Sequence, residues 1–461
     1  MKNRLRGRLA SGHEDAPLLK RYARNFSIGL GGSLASLVLG LGRTALLTKS
    51  LSIADYGKIL IVMNLPAFIG TILNVRVQDL INKFYPEFEA AEDAAALRGL
   101  LLLSIGLNLA VSLVVSLGIF LLAPWIADRF YDDPGLAILF RIYAVIRVLS
   151  FLHGVYTPIL RLKDRFAAVI IPQVIGNGLT LAALAAYFLT VDGYRLTHVV
   201  AILAAGLLAS TLPPLVAMLR IVRPHLIAGR AERARAALGR HGRMIRETLF
   251  HTNLAGYLNI VFTPGDVFLL GLFGTPTQVA IYGLAQQLTA PLLVLQDNIA
   301  AALTPEVVSL WARRKLEQLN RLLRLYLIPM ALGGALALLA GWLLARPVIL
   351  WLAKPEYLAA IPVFHLQLVV LWISVVFLIF YPLGLSLNML RWFNGANAIV
   401  LVLVAGYLVW QGELTALAMA WLLLLAAVIR RLLGNLPVYF AFRRELGAQR
   451  RAAAEAAGVA P

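Results

Sequence analysis

No cysteine occurs among the 461 residues, so a disulfide framework, a thiolate nucleophile and a Cys-ligated metal are all excluded, and redox chemistry says nothing about compartment. Charge is also scarce. Only 14% of positions are Asp, Glu, Lys or Arg, where a soluble domain carries about a quarter. Acidic residues are the scarcer sign, with 23 Asp and Glu against 42 Lys and Arg. The sequence has no G-x-x-x-x-G-K-[ST] phosphate loop and no H-E-x-x-H or G-x-S-x-G arrangement, so it is read as no enzyme, and no cofactor is called for. The opening MKNRLRGRLASGHEDAP is polar and lacks the short apolar core and small-residue cleavage site of a secretory signal, so a cytoplasmic tail is expected.

What is present is apolar sequence. Hydrophobic residues make up 60% of the chain, in recurrent runs of about 18 to 25 residues, each long enough to cross a hydrocarbon layer about 30 Å thick as a helix. A soluble enzyme is excluded, and an all-α integral membrane protein with twelve spans is expected. The first six are Asn25 to Leu47, Gly57 to Ile81, Leu100 to Ile126, Leu136 to Leu160, Ala167 to Phe188 and His198 to Leu219. The second six are His251 to Leu272, Ala280 to Leu303, Leu323 to Leu344, Leu358 to Leu385, Ala396 to Trp410 and Leu414 to Leu433.

Charge orients these spans. With both termini cytoplasmic, 32 of the 42 Lys and Arg fall on the inner side, including Arg430 and Arg431, and 6 on the outer side, as the positive-inside rule requires. The net charge of +19 therefore reflects orientation in the membrane and attraction to anionic lipid headgroups. Nucleic acid is not a partner, since no stacking aromatics interleave the arginines.

The Arg220 to Glu247 loop holds eight arginines and separates six spans from six. The expected organisation is a basic tail (1–24), a first six-helix bundle (25–219), an Arg-rich linker (220–250), a second six-helix bundle (251–435) and a C-terminal tail (436–461). The halves resemble diverged copies. Tyr56-Gly57 pairs with Tyr282-Gly283, Pro66 with Pro291, and Pro86-Glu87 with Pro305-Glu306. Because each copy has an even number of spans, the two enter the membrane from the same side and form a parallel repeat.

Charges inside spans mark a polar interior. Arg43, Arg76, Arg141 and Arg147 would each cost about 2.5 to 3.5 kcal/mol at a lipid-facing helix centre, so they are expected to face protein or water. Arg76, Asp79 and Lys83 share a helical stripe. Arg43 and Arg141 lie near the outer ends of their spans, within snorkelling reach. Arg147 is near mid-membrane and His153 lies beyond it. In the second half the sign changes. Asp266 follows Thr263-Pro264-Gly265, where a helix break is expected, and is read either as a cation or proton site or as the partner of a basic residue in the other bundle such as Arg43, with Asp79 as a further coupling candidate. Gln286 and Asp297 are three turns apart and can face one groove. Gly32, Ser36 and Gly40 form a small-residue stripe suited to close helix packing.

The segments LSIADYGKILIVMNLPAFIGTILN and DVFLLGLFGTPTQVAIYGLAQQL, with the LTPEVV run from Leu303, carry a resemblance to Wzx-type polysaccharide flippases of the multidrug/oligosaccharidyl-lipid/polysaccharide exporter superfamily. The resemblance spans about Asn25 to Leu433. It implies a V-shaped pair of six-helix lobes around a central cavity in a bacterial inner membrane. It further implies alternating access and movement of an undecaprenyl-pyrophosphate-linked sugar from the cytoplasmic to the periplasmic leaflet, with a polymerase and glycosyltransferases as working partners. On this reading Arg43, Arg76, Lys83, Arg141 and Arg147 form a basic wall for pyrophosphate, because guanidinium forks onto phosphate oxygens. Gln286 and Asp297 then bind sugar hydroxyls, and Asp266 and Asp79 serve a coupling cation or proton. A cation-coupled exporter of drugs or metabolites is the alternative and calls for an acidic cavity. A polyprenyl-linked glycosyltransferase or ligase would need a large outer loop, which the sequence lacks.

Overall fold

The computed structural model describes residues 27–29, 31–73, 76–150, 152–227, 231–257 and 265–456. All regular structure among them is helical, and ten helices are long and apolar enough to cross a membrane. In chain order the elements are α1 (Ser27–Ser50), α2 (Ile53–Leu73), α3 (Val77–Ala90), α4 (Ala94–Tyr131), α5 (Leu136–Ser150) and α6 (His153–Leu162). Then come α7 (Phe166–Thr190), α8 (Leu196–Ile227), α9 (Ala231–Arg240), α10 (Gly242–Tyr257), α11 (Gly265–Phe273) and α12 (Pro276–Ala312). The chain closes with α13 (Leu316–Leu352), α14 (Ala360–Val376), α15 (Phe380–Ser386), α16 (Leu390–Gln411) and α17 (Ala416–Ala456).

Ten helices account for ten of the twelve expected spans. The seventh runs from α10 to α11 across residues 258–264, outside the described residues, and the eighth falls within the 37-residue α12, about 55 Å long and so longer than a bilayer core. Helices satisfy their backbone polar groups internally, so their outer faces can be pure hydrocarbon. Leu189, Val38, Leu336 and Trp410 are accordingly exposed.

Several boundaries differ from the sequence expectation. The single span expected over Gly57 to Ile81 is two helices. α2 ends at Leu73, and Arg76 is the residue that precedes α3. α3 is amphipathic, with Val77, Leu80, Ile81, Phe84, Tyr85 and Phe88 buried. The charged stripe of Arg76, Asp79 and Lys83 thus lies on a separate helix after the end of α2, not on a continuous transmembrane one. The spans expected over Leu136 to Leu160 and Leu358 to Leu385 are also interrupted, between α5 and α6 and between α14 and α15. The second interruption has a local cause: Pro382 lacks an N–H and its ring crowds the carbonyl four residues back, at Leu378.

The chain forms two compact units, Met1–Leu46 with Ile69–Leu254, and Leu47–Phe68 with Ala255–Pro461. Most of α2 therefore packs within the second unit. Thr48 donates to the Leu352 carbonyl at 2.8 Å and Lys354 to the Leu51 carbonyl at 2.7 Å. Gly57 lies so close to Pro276 that a Cβ would fall 1.7 Å from its carbonyl oxygen, which only glycine permits. Phe68 stacks on Phe268 with ring centroids 3.9 Å apart.

In the first unit, the apolar face of α3 packs with the N-terminal turns of α4, with α6 and with the end of α8, and Ala237 and Ile245 join from α9 and α10. Gly99 allows the α9 backbone to approach α4, since a Cβ there would meet the Ala234 carbonyl at 2.6 Å. Gly32 packs against Ile170 of α7, whereas Gly40 of the same stripe has nothing within 4 Å of a Cβ placed there. The core of the second unit joins α12, α13, α15 and α17 around Leu319, Leu383, Val438 and Phe442.

Candidate functional site

In the first unit the expected cationic residues lie at α1, α3 and α5. Arg76 pairs with Asp79 at 3.1 Å, and Lys83 donates to Thr248 at 3.1 Å while lying over the Phe84 ring. Asp79 and Lys83 occupy the polar side of α3, and Arg76 stands at its start. Arg141 and Arg147 are on α5. The Arg141 Nε donates to the Phe120 carbonyl of α4 at 3.4 Å, with its guanidinium over the Phe120 ring. Arg147 is half-buried in the last turn of α5, where its Nη1 donates to the Tyr143 hydroxyl at 3.1 Å one turn earlier. Arg43 is half-buried in α1.

Sequence reasoning missed the surface against which Arg147's helix breaks. Ser104, Asn108, Ser112 and Ser116 recur at spacing four on α4 and are all buried, so they form one polar stripe on an otherwise apolar helix. The Ser112 hydroxyl donates to the Val148 carbonyl, in the last turn of α5. Asn108 lies beside Gly154 of α6, whose missing side chain leaves room for the amide. The signal was legible as a four-residue period of polar residues. His153 stands edge-on to Tyr156, with centroids 5.3 Å apart.

In the second unit Asp266 is the second residue of α11 and is buried. The expected break at Thr263-Pro264 lies outside the described residues. Its Oδ2 accepts from the Tyr282 hydroxyl at 2.7 Å and from the Gln286 amide at 3.1 Å, both on α12, and its Oδ1 accepts from the Val267 N–H at 2.8 Å. Three neutral donors therefore satisfy one carboxylate, an arrangement that can hold a charge or accept a proton without an ion pair. The amide of Gln286 thus serves Asp266. The side chain of Asp297 lies outside the described residues.

A further cation sits where sequence counting put a cytoplasmic end. Arg430 and Arg431 lie within the 41-residue α17. At the end of α14 the Leu378 N–H bonds to the Val375 carbonyl, which frees the Ser374 carbonyl. Arg431 Nη2 donates to that carbonyl at 3.4 Å, and the Tyr326 hydroxyl of α13 donates to Val375.

The family model of "Polysaccharide biosynthesis protein" matches residues 22–311. No protein of curated function matches the sequence. Among solved structures, the chain is similar to an inward-facing multidrug resistance MATE family transporter of the MOP superfamily, with a TM-score of 0.66, 15% identity, and 90% of this chain and 96% of the other covered. It is likewise similar to the lipid II flippase MurJ in an inward closed conformation, with a TM-score of 0.64, 14% identity, and 90% and 87% covered. A MOP superfamily transporter from Pyrococcus furiosus, whose structure is described by a reversed polarity of its binding pocket, gives a TM-score of 0.51 at 16% identity, with 92% and 95% covered. With a family model that covers more than half of its length and a helical fold shared with MATE and MurJ transporters, the chain belongs to the polysaccharide biosynthesis protein family and has the MOP-superfamily fold.

Proposed function

We propose that the chain is a flippase that carries a lipid-linked oligosaccharide, on undecaprenyl pyrophosphate, from the cytoplasmic to the periplasmic leaflet by alternating access. The physical problem is the sugar head: each hydroxyl left unpaired in hydrocarbon costs about 2 to 7 kcal/mol, so a polar route must shelter it. The observation that carries the reading is Arg147. It is a fixed cation at the end of a broken transmembrane helix, beside a helix whose buried stripe offers hydroxyl and amide groups. A guanidinium can fork onto a pyrophosphate, and α5 brings Arg141 within two turns of Arg147. Family membership in polysaccharide biosynthesis and a fold shared with a lipid II flippase support the same substrate class.

Asp266 is the coupling group of this reading. Its partners present hydrogens to the carboxylate, a setting suited to a proton or a monovalent cation arriving in exchange for those bonds. The test uses the full chain in vesicles loaded with lipid-linked oligosaccharide, with an impermeant glycosidase added outside to count the headgroups that reach the outer leaflet. Protein-dependent exposure is the expected result. Exposure equal to that of protein-free vesicles, while a dye-like cation is exported, would move the chain to the drug-exporter alternative.

A further inference from the structure

We infer that the first unit carries a docking surface for an anionic phospholipid of the bilayer, with the phosphate held by Arg220 and Arg223 near the end of α8 and an acyl chain along the helix face that leads to them. The lipid is a resident of this surface and not the transported molecule.

α8 divides into two faces. Thr211, Pro214, Leu215, Met218 and Val222 are buried within the unit, while Leu212, Val216, Leu219, Arg220 and Arg223 are exposed. The exposed set recurs at three- and four-residue spacing, so it forms one stripe along the helix. The stripe is hydrocarbon up to Leu219 and cationic from Arg220. Arg220 stands about 36 Å along α8 from Leu196 and a hydrocarbon core is about 30 Å thick, so the change of character comes where the helix reaches lipid headgroups.

The two guanidiniums meet no acid within their bundle. No Asp or Glu occurs from Gly193 to Ala231, and α5, α6 and α7, which pack with α8, carry none. Of the acids near the start of α4, Asp93 is taken by Arg240 at 3.3 Å and Glu89 by Lys163. Helix ends of the second unit neutralise arginines within the protein, Arg314 through Glu445 at 3.5 Å and Arg450 through Glu317 at 2.5 Å. Arg220 and Arg223 have no such partner among the described residues. Guanidiniums one turn apart on an exposed face can fork onto the oxygens of a phosphodiester. An acidic protein or a soluble phosphate would answer to the arginines and leave the leucine stripe unused. A phospholipid joins hydrocarbon to phosphate in the order in which the stripe presents their partners.

The test uses the full purified chain in phosphatidylcholine nanodiscs that contain a trace of phosphatidylglycerol with a photoreactive group on one acyl chain. Cross-links are expected on the face of α8 that holds Leu212, Val216 and Leu219. An arginine close to an anionic headgroup strengthens the attraction about fivefold, so Arg220→Gln combined with Arg223→Gln should lower the yield on α8 about twenty-five-fold. If the double variant does not fold, the single variants read the same effect, each with a loss of about fivefold. Unlabelled phosphatidylglycerol should compete for the site, and neither extra phosphatidylcholine nor soluble glycerol phosphate should. Equal labelling of every lipid-facing helix, an unchanged yield in the variants, equal labelling by a phosphatidylcholine probe, or stronger competition by a prenyl pyrophosphate than by phosphatidylglycerol would overturn the inference.

Discussion

Two broken helices, α5–α6 in the first unit and α14–α15 in the second, occupy corresponding positions in the repeat and solve the same problem with different chemistry. In each, a carbonyl near the break takes a hydroxyl from the long helix before it: Ser112 of α4 reaches Val148, and Tyr326 of α13 reaches Val375. The arginines differ. The first unit carries Arg147 on the broken helix itself, with its hydroxyl partner on the same helix, whereas the second brings Arg431 from α17 to a freed carbonyl. Among the described residues the buried carboxylate, Asp266, is in the second unit and the buried serine stripe in the first. A duplicated backbone can thus keep its breaks while the polar groups around them are reassigned.

The comparison is tested most severely at Arg147. Arg147→Ala is expected to lower translocation about tenfold or more with the protein still inserted, and Arg147→Lys to retain part of it, because the ammonium keeps the charge and loses the fork. The measurement is the lipid-linked intermediate that accumulates on the cytoplasmic leaflet of cells with each variant. Normal flipping by the Ala variant at normal abundance would return Arg147 to packing.

Asp266→Asn should slow transport severalfold while membrane abundance stays near normal, since Asn keeps the size of the side chain and one acceptor oxygen for Tyr282. If abundance falls in step with transport, Asp266 is structural and the units differ only in packing.

Smaller effects are expected where the units agree. Ser112→Ala and Tyr326→Phe each remove one buried hydroxyl bond, and each should lower stability in detergent by about 0.6 kcal/mol, a typical value for membrane helices. A clearly larger loss for one than the other, read from thermal unfolding, would show that the two clamps are not equivalent.

The smallest effects belong to the ion pairs that join helix ends in each unit. In the first, the bond from Lys163 to Glu89 holds the lysine above its ordinary pKa, so its contribution is complete below the ordinary lysine value and is lost as pH rises through the raised one. In the second, the bond from Arg450 holds the Glu317 carboxyl below its usual range, so its contribution is present above that range and is lost as pH falls through the lowered value. Melting temperature should therefore be flat between about pH 5 and pH 9 as far as these pairs are concerned, and Glu317→Gln should lower it there only by the small contribution of one exposed pair. A slope inside that window would assign the change to other groups.

Much of the fold could be read directly from the sequence, because a helix in lipid satisfies its own backbone bonds and needs only a run of apolar residues of sufficient length. Ten of the twelve spans are helices for that reason. Asp266 was visible because a carboxylate in such a run is expensive wherever it points. The interruptions were less legible. Pro382 marked a kink, but the break falls a turn earlier, where its ring crowds Leu378, and the α2–α3 boundary at Arg76 carries no proline or glycine.

By itself the sequence determined the class of molecule, the order of its spans and the presence of charge within apolar segments, all of which follow from local hydropathy and the expense of burying a charge. The tertiary structure alone decided which charges have partners. It placed Gln286 against Asp266, set Arg431 on the Ser374 carbonyl, and packed residues 47–68 with the second unit. The physical reason is that a hydrogen bond or a close helix contact depends on which faces meet, and residues far apart in the chain, such as Thr48 and Leu352, meet only once the bundle has formed.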